Sequence, residues 1–320
     1  MSIIGVDLGG TKTAAALVGE DGSLGPVRRV PTRARAGHGA VLDAVAALVE
    51  AVHADAVAAA ALGGAPVPAL RGVGVGAAGV VDADTGRILS STDSFSGWTG
   101  TDVVGQLKAR LGAGTTVHLQ NDVDAHAVGE SWVGAAAGAR SALVVAVGTG
   151  VGGSLVLDGR PWRGAHSVAG EIGHIPVAEA RHLRCPCGRT GHLEAIGAGP
   201  GLLRHYLSLG GAPATANSRA VVALAHAGET VALRAVRESA AVVGRTLAGL
   251  VTTVDPEVVV LTGGLVAAGP VWWDAMDRAL RAELIDVLQA VPVRPASLGD
   301  AAAVLGAARP VWASLSGARP

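Results

Sequence analysis

The chain has 320 residues, half of them apolar, with 25 Lys and Arg against 26 Asp and Glu and no basic or acidic block. That length exceeds what one hydrophobic core usually organises, so two domains are expected, and the balanced charge lacks the electrostatic footprint of a nucleic-acid binder. Apolar runs are broken by Gly, Pro or charge before about 18 residues, and residues 1–10 have neither the basic start nor the long apolar run of a signal peptide, so the protein is expected to span no membrane and to stay cytoplasmic with reduced thiols.

Residues 3–22, IIGVDLGGTKTAAALVGEDG, read as strand, Gly/Thr turn, strand and acidic-Gly turn. The turn DLGGTKT (7–13) joins two strands, so it is not a strand-to-helix phosphate loop. Gly9 and Gly10 let backbone amides approach a phosphate, and Thr11 and Lys12 add side-chain donors. Asp7 is placed to hold a hydrated magnesium ion. A tight hairpin alone would also account for such a turn. A helix is expected over 40–62, a buried strand over 71–77, then a loop with Asp82, Asp84 and Gly86, and a helix over 101–111. TVHLQ (116–120) reads as a strand and 123–137 as a helix, so Asn121 and Asp122 stand where a strand ends and a helix begins. Ligands collect at that edge of an α/β sheet. A carboxylate there can take the proton from a hydroxyl that attacks a γ-phosphate; capping the helix would occupy Asp122 equally well.

Residues 142–159, ALVVAVGTGVGGSLVLDG, repeat the hairpin pattern, and GTGVGG (148–153) offers a second set of amides with the Thr149 hydroxyl. One such hairpin in each half points to a duplicated fold with a phosphate-facing turn per lobe. The irregular stretch 159–191 contains GEIGHIPV (170–177), with Glu171 and His174, and leads into CPCGRTGHLE (185–194), which holds both cysteines of the chain. Cys185 and Cys187 beside His192 point to metal rather than a disulfide: a structural tetrahedral zinc with two thiolates and two imidazoles, the fourth ligand being His174 or His182. Helices over 199–209, 219–227 and 231–253 precede a buried strand at 257–261, followed by Gly263 and Gly264. A helix over 271–288, a strand near 292 and a last helix over 301–315, returning to the first lobe, complete the chain.

The ordered set DLGGTKT, GVGVGAAGVVDADTG (72–86), SGWTG (96–100), NDVDAHAVGE (121–130), GTGVGG, GEIGH and CPCGRTGHLE resembles the ROK family of repressors and kinases. The resemblance implies an α/β, two-lobed, actin-like and hexokinase-like ATPase fold, a duplicated ribonuclease H-like arrangement with a cleft between the lobes. Residues 1–120 with 299–320 would form the N-terminal lobe, and 121–298 the C-terminal lobe with its zinc loop at 170–194. ATP, Mg2+ and structural Zn2+ are the implied cofactors. Asp122 would be the general base toward a sugar hydroxyl, most often that at carbon 6. Sugar contacts would fall to Gly79, Asn121, Asp122, Glu171, His174 and Glu194. ATP contacts would come from Gly9, Gly10, Thr11, Lys12, Thr149, Gly150, Gly263 and Gly264. The zinc ligands would be His174, Cys185, Cys187 and His192, and the magnesium ligand Asp7.

The implied activity is phosphorylation of a hexose, glucose first, with N-acetylglucosamine and N-acetylmannosamine as alternatives, by a homodimer or tetramer without nucleic-acid or membrane partners. The family's repressors carry a helix-turn-helix ahead of DLGGTK; only six residues precede Asp7 here, so that module is not expected. Three positions depart from the usual pattern: His192 replaces a third Cys, Ala78 a Pro, and Ser94, beside Asp93, an Asn. A sugar sensor without turnover is the reading from another class. A nicotinamide-dependent dehydrogenase is disfavoured, because the first glycine turn opens a strand rather than a helix.

Overall fold

The computed structural model describes residues 1–91 and 95–317. Ser2–Leu8 (β1) and Lys12–Leu17 (β2) form the expected hairpin, paired antiparallel from Ile4 with Leu17 to Leu8 with Thr13. The chain continues through β3 (Arg28–Pro31), α1 (His38–Leu62), β4 (Leu70–Ala77), β5 (Val80–Asp82), β6 (Arg87–Ser90), α2 (Val103–Leu111), β7 (Thr116–Asn121) and α3 (Asp122–Val133). Then come β8 (Ser141–Val147), β9 (Val151–Leu157), β10 (Arg160–Pro161), α4 (Glu194–Gly197), α5 (Gly199–Ser208), α6 (Ser218–His226) and α7 (Thr230–Val254). β11 (Val258–Thr262), α8 (Pro270–Glu283), β12 (Val293–Pro295) and α9 (Ala301–Leu315) close the sequence.

One sheet design occurs twice. The first sheet has the order β3-β2-β1-β4-β7 and the second β10-β9-β8-β11-β12. In chain order both read third, second, first, fourth, fifth, and in both the first, fourth and fifth strands run parallel. This is the duplicated arrangement that the repeated hairpin implied.

The chain forms two compact units: residues 1–138, 156–168 and from 297 on in the first, 139–155 and 169–296 in the second. The expected changes of lobe after 120 and after 298 therefore fall after 138 and after 296, with 156–168 as a further excursion. The reason is that α3 lies backbone to backbone with α9. A Cβ on Gly129 would stand 2.1 Å from the Ala302 carbonyl oxygen, and one on Gly306 1.7 Å from that of Ala125. A side chain at either place would force the helices apart, so glycine fixes α3 to the first unit.

In that unit α9 covers one face of the sheet, burying Ile3, Val304, Val311 and Trp312 together. α1 and α2 cover the other, where Ile4, Val6 and Leu8 meet Val41, Val45, Val49 and Leu107. The period-two alternation of β1 thus feeds two cores. One expectation is corrected here: α1 is long and apolar enough to cross a membrane by length and composition, with mean hydropathy 1.7. Its buried stripe belongs to the first unit's core, as an Ala-rich core helix allows. In the second unit α7 and α8 pack closely enough that a Cβ on Gly244 would lie 2.1 Å from the Met276 carbonyl, over a core containing Val145, Leu261, Leu247 and Trp272.

Candidate active site and metal centre

In the first unit, β1, β4 and β7 end in register: Leu8 pairs with Ala77, and Ala77 with Asn121. Asp7, Gly79, Asn121 and Asp122 therefore gather at one sheet edge. Asn121 is the N-cap of α3, its Oδ1 accepting from the Val123 amide at 2.8 Å and the Asp124 amide at 3.2 Å. Its Nδ2 donates to the Gly79 carbonyl at 3.0 Å. The cap that Asp122 might have supplied is thus supplied by its neighbour; Asp122 is the first helical residue, and its Oδ1 accepts from the Val123 amide at 2.9 Å. Burial pushes the Asp122 carboxyl above the usual carboxylate range against the pull of that amide, which makes it a stronger base than a free aspartate.

Gly79 has φ +108°, and a Cβ there would meet the Ser90 carbonyl at 2.6 Å. The buried Trp98 donates from Nε1 to the Ala78 carbonyl at 3.1 Å. The turn that usually begins with Pro is therefore held from both sides with Ala78 in its place. Ser94 and Asp93 lie outside the described residues.

Asp7 is raised to about 6, first by burial and then by the Asp122 charge, with Lys12 opposing and Asp300 adding to the rise. At the hairpin tip the Gly9 amide donates to the Lys12 carbonyl at 3.2 Å, and Gly10, Thr11 and Lys12 are exposed. Lys12 Nζ lies 2.6 Å from Asp300 Oδ2. Sequence reasoning did not single out Asp300, which is 288 positions from Lys12. Its one signal is its place directly before a helix expected to return to the first lobe.

In the second unit, the turn after β8 places the Gly148 amide 2.9 Å from the Gly150 carbonyl, with Thr149 and Gly150 exposed. Gly263, with φ +101°, is obligatory after β11, because a Cβ would fall 2.4 Å from the Val147 carbonyl. Gly264 follows, and the Gly199 amide at the start of α5 donates to the Gly148 carbonyl at 2.8 Å. The glycine turns of β8 and β11 are thus neighbours. Beside them Glu194 accepts from the Val151 amide at 3.0 Å. A Cβ on Gly150 would come 2.8 Å from its Oε2, so glycine there makes room for the carboxylate.

Glu171 precedes and His174 ends a short 3-10 turn, His174 Nε2 lying 3.6 Å from Glu171 Oε2. His174, Cys185, Cys187 and His192 bring one ligand atom each within 4.8 Å of one another. Cys185 Sγ is 3.7 Å from His174 Nδ1 and Cys187 Sγ is 3.3 Å from His192 Nδ1. Tetrahedral zinc with its usual bond lengths requires sulfur-to-nitrogen edges of about 3.5 Å, so this donor set fits. His182 is exposed and outside the cluster; of the two histidines left open by the sequence, His174 is the one the fold brings in. Burial, with the neighbouring Cys187 thiol, pushes the Cys185 thiol up to about 11. Binding of metal must therefore displace a proton.

The model of the ROK family matches residues 3–313. The chain belongs to the ROK family. A glucokinase of Halalkalibacterium halodurans is 30% identical over 317 residues, 95% of this chain and 92% of that protein. An N-acetylmannosamine kinase of Citrobacter koseri is 32% identical over 266 residues, covering 83% and 84% of the two chains. A crystal structure of a ROK glucokinase from Streptomyces griseus, solved with glucose and AMPPNP, aligns with TM-score 0.77 and 29% identity over 96% of this chain and 98% of that one. The doubled sheet of this ROK chain is accordingly that of the two-lobed, actin-like ATPase fold.

Proposed function

We propose that this ROK protein is a carbohydrate kinase of the cytoplasm that transfers the γ-phosphoryl group of Mg-ATP to a hexose hydroxyl, with glucose as the first substrate to test. The observation that carries this reading is the division of labour at the end of β7: Asn121 caps α3 and ties itself to Gly79, while Asp122 keeps a carboxylate of raised basicity at the sheet edge. In the reaction the sugar oxygen bonds to the γ-phosphorus as the bond to the ADP oxygen breaks. The hydroxyl proton passes to Asp122.

Glu171, His174 and Glu194 serve as partners for the remaining sugar hydroxyls. The amides of the glycine turns at 9–10, 149–150 and 263–264, with Thr11, Lys12 and Thr149, serve the nucleotide. Asp7 offers a hard oxygen ligand for magnesium, whose charge would offset the crowding of carboxylates that raises Asp7. Zinc held by His174, Cys185, Cys187 and His192 would fix the loop that presents Glu171 and Glu194, with no part in the transfer itself.

An N-acetylhexosamine is the second substrate class, favoured by the N-acetylmannosamine kinase relative. A coupled ADP-release assay over glucose, mannose, N-acetylglucosamine and N-acetylmannosamine decides. Sugar-dependent ADP release is expected for at least one. Sugar binding without ADP release across the panel would make the protein a sensor.

A further inference from the structure

The ion pair between Lys12 and Asp300 joins the tip of the first hairpin to the start of α9, and both side chains are about half exposed. As a surface salt bridge it would contribute little to stability. Its position gives it another use. Asp300 accepts from Lys12 at 2.6 Å and has Arg29 as a second, looser partner at 3.9 Å. The charges of Asp122 and Asp300 both act on Asp7, and Lys12 is the cation that opposes them there. Lys12 begins β2, so its backbone is fixed by pairing with Pro31 while its four-carbon stem is free to swing. Without a tether that stem would sample many rotamers above the glycine turn.

We propose that Asp300 is a positioning residue for Lys12. It takes one of the three N–H donors of the ammonium and thereby holds the other two over the Gly9–Gly10 turn, ready for a phosphate oxygen. An ammonium has three donors to one carboxylate's need, so Asp300 keeps its bond while the phosphate is bound. The rotamer entropy of the lysine is then lost on folding rather than on binding, which strengthens nucleotide affinity through preorganisation. The inference rests on the kinase reading above, specifically on the first hairpin serving the nucleotide.

The test is a double-mutant cycle on the affinity of a fluorescent ATP analogue with magnesium, measured by direct titration so that turnover is not needed. Asp300→Ala is expected to weaken binding by about fivefold in the wild-type background and by less than about twofold in a Lys12→Met background. Asp300→Glu, which keeps the charge, should recover most of the loss, and the neutral isostere Asp300→Asn should not. Equal losses in both backgrounds, or full rescue by Asn, would overturn the proposal, because a purely structural role at the start of α9 does not depend on Lys12. The two readings fail separately: an analogue that does not bind wild-type protein at all sinks the nucleotide reading, whereas tight binding unaffected by Asp300→Ala sinks the positioning role alone.

Discussion

Replacing Asp122 by Asn keeps the side chain's shape and its bond to the Val123 amide while removing the proposed base. Turnover should fall by about a thousandfold or more, with sugar affinity within about tenfold of wild type, since only the proton acceptor is lost. Single-turnover kinetics beside a sugar titration measure both; undiminished turnover would exclude Asp122 from the role. Asp7 offers an opposite trade. Its carboxyl, raised from 3.8 in an unfolded chain to about 6 in the folded one, is bound more tightly to its proton when folded. Between those values the native state carries more protons than the unfolded state, so stability falls as pH rises through the window from 4 to 6. Asp7→Asn should therefore stabilise the protein by about 1–2 kcal/mol at pH 7.5, an advantage that fades toward pH 4, and should impair Mg-ATP use at the same time. Urea melts at the two pH values check the first part; a variant less stable than wild type at pH 7.5 would mean that Asp7 is held by favourable contacts instead.

At the level of the elements, Glu130 on α3 is fully buried and accepts from the Ala135 amide at 2.8 Å, the Leu298 amide at 2.9 Å, and both the amide and hydroxyl of Ser297. One carboxylate thus anchors the chain shortly before residue 138 and directly after residue 296, the places where it leaves and re-enters the first unit. A Cβ on Gly134 would strike its Oε2 at 2.2 Å, which is one reason α3 stops at Val133 rather than running on to 137 as its composition suggests. Glu130→Ala removes a shared acceptor from three part-buried amides and should cost about 2–3 kcal/mol. Faster hydrogen exchange localised to Ala135, Ser297 and Leu298 would confirm the cause; a loss spread evenly over the sheet would not.

This is also where sequence reading reached its limit. Long periodic segments such as α7, and apolar runs such as β8, were legible because burial imprints a period on them. The sequence shows the hairpin of β5 and β6 only as a loop, because strands of three and four residues carry too little pattern. The return of α9 to the first lobe is legible in the sequence, but the closeness of its packing is not. Its contact with β1 and β4 depends on Gly5 and Gly74, where a Cβ would stand 1.9 Å from the Val304 carbonyl and 1.7 Å from that of Ala307, and a single glycine in a glycine-rich chain announces nothing by itself. The site fared likewise: DLGGTKT, Asn121 with Asp122, and the Cys-x-Cys loop are local and could be read, whereas the pairing of Lys12 with Asp300 exists only after folding.

Across the whole molecule, zinc held by His174, Cys185, Cys187 and His192 would stabilise a region with little regular structure of its own. Between β10 and α4 the regular structure consists of two 3-10 turns, at Ile172–His174 and Ala178–Ala180, and isolated bridges such as Pro176 with His192 and Arg184 with Thr190. Its apolar anchors, Ile172, Ala180, Cys185 and Leu193, nevertheless belong to the core of the second unit. Stripping metal with a strong chelator at pH 7 should therefore lower the melting temperature by on the order of 5 °C and speed hydrogen exchange across residues 172–197. Amides of β1 and β4, whose core is built from α1, α2 and α9, should keep their protection. Because Cys185 must lose a proton that burial holds up to about 11, the metal should also be retained more tightly as pH rises from 6 to 8. If the zinc loop presents Glu171 and Glu194 to the sugar, the apoprotein's KM should rise more for sugar than for ATP. A chelated protein whose first-unit sheet loses protection together with residues 172–197 would show that the metal supports the entire fold rather than one unit of it.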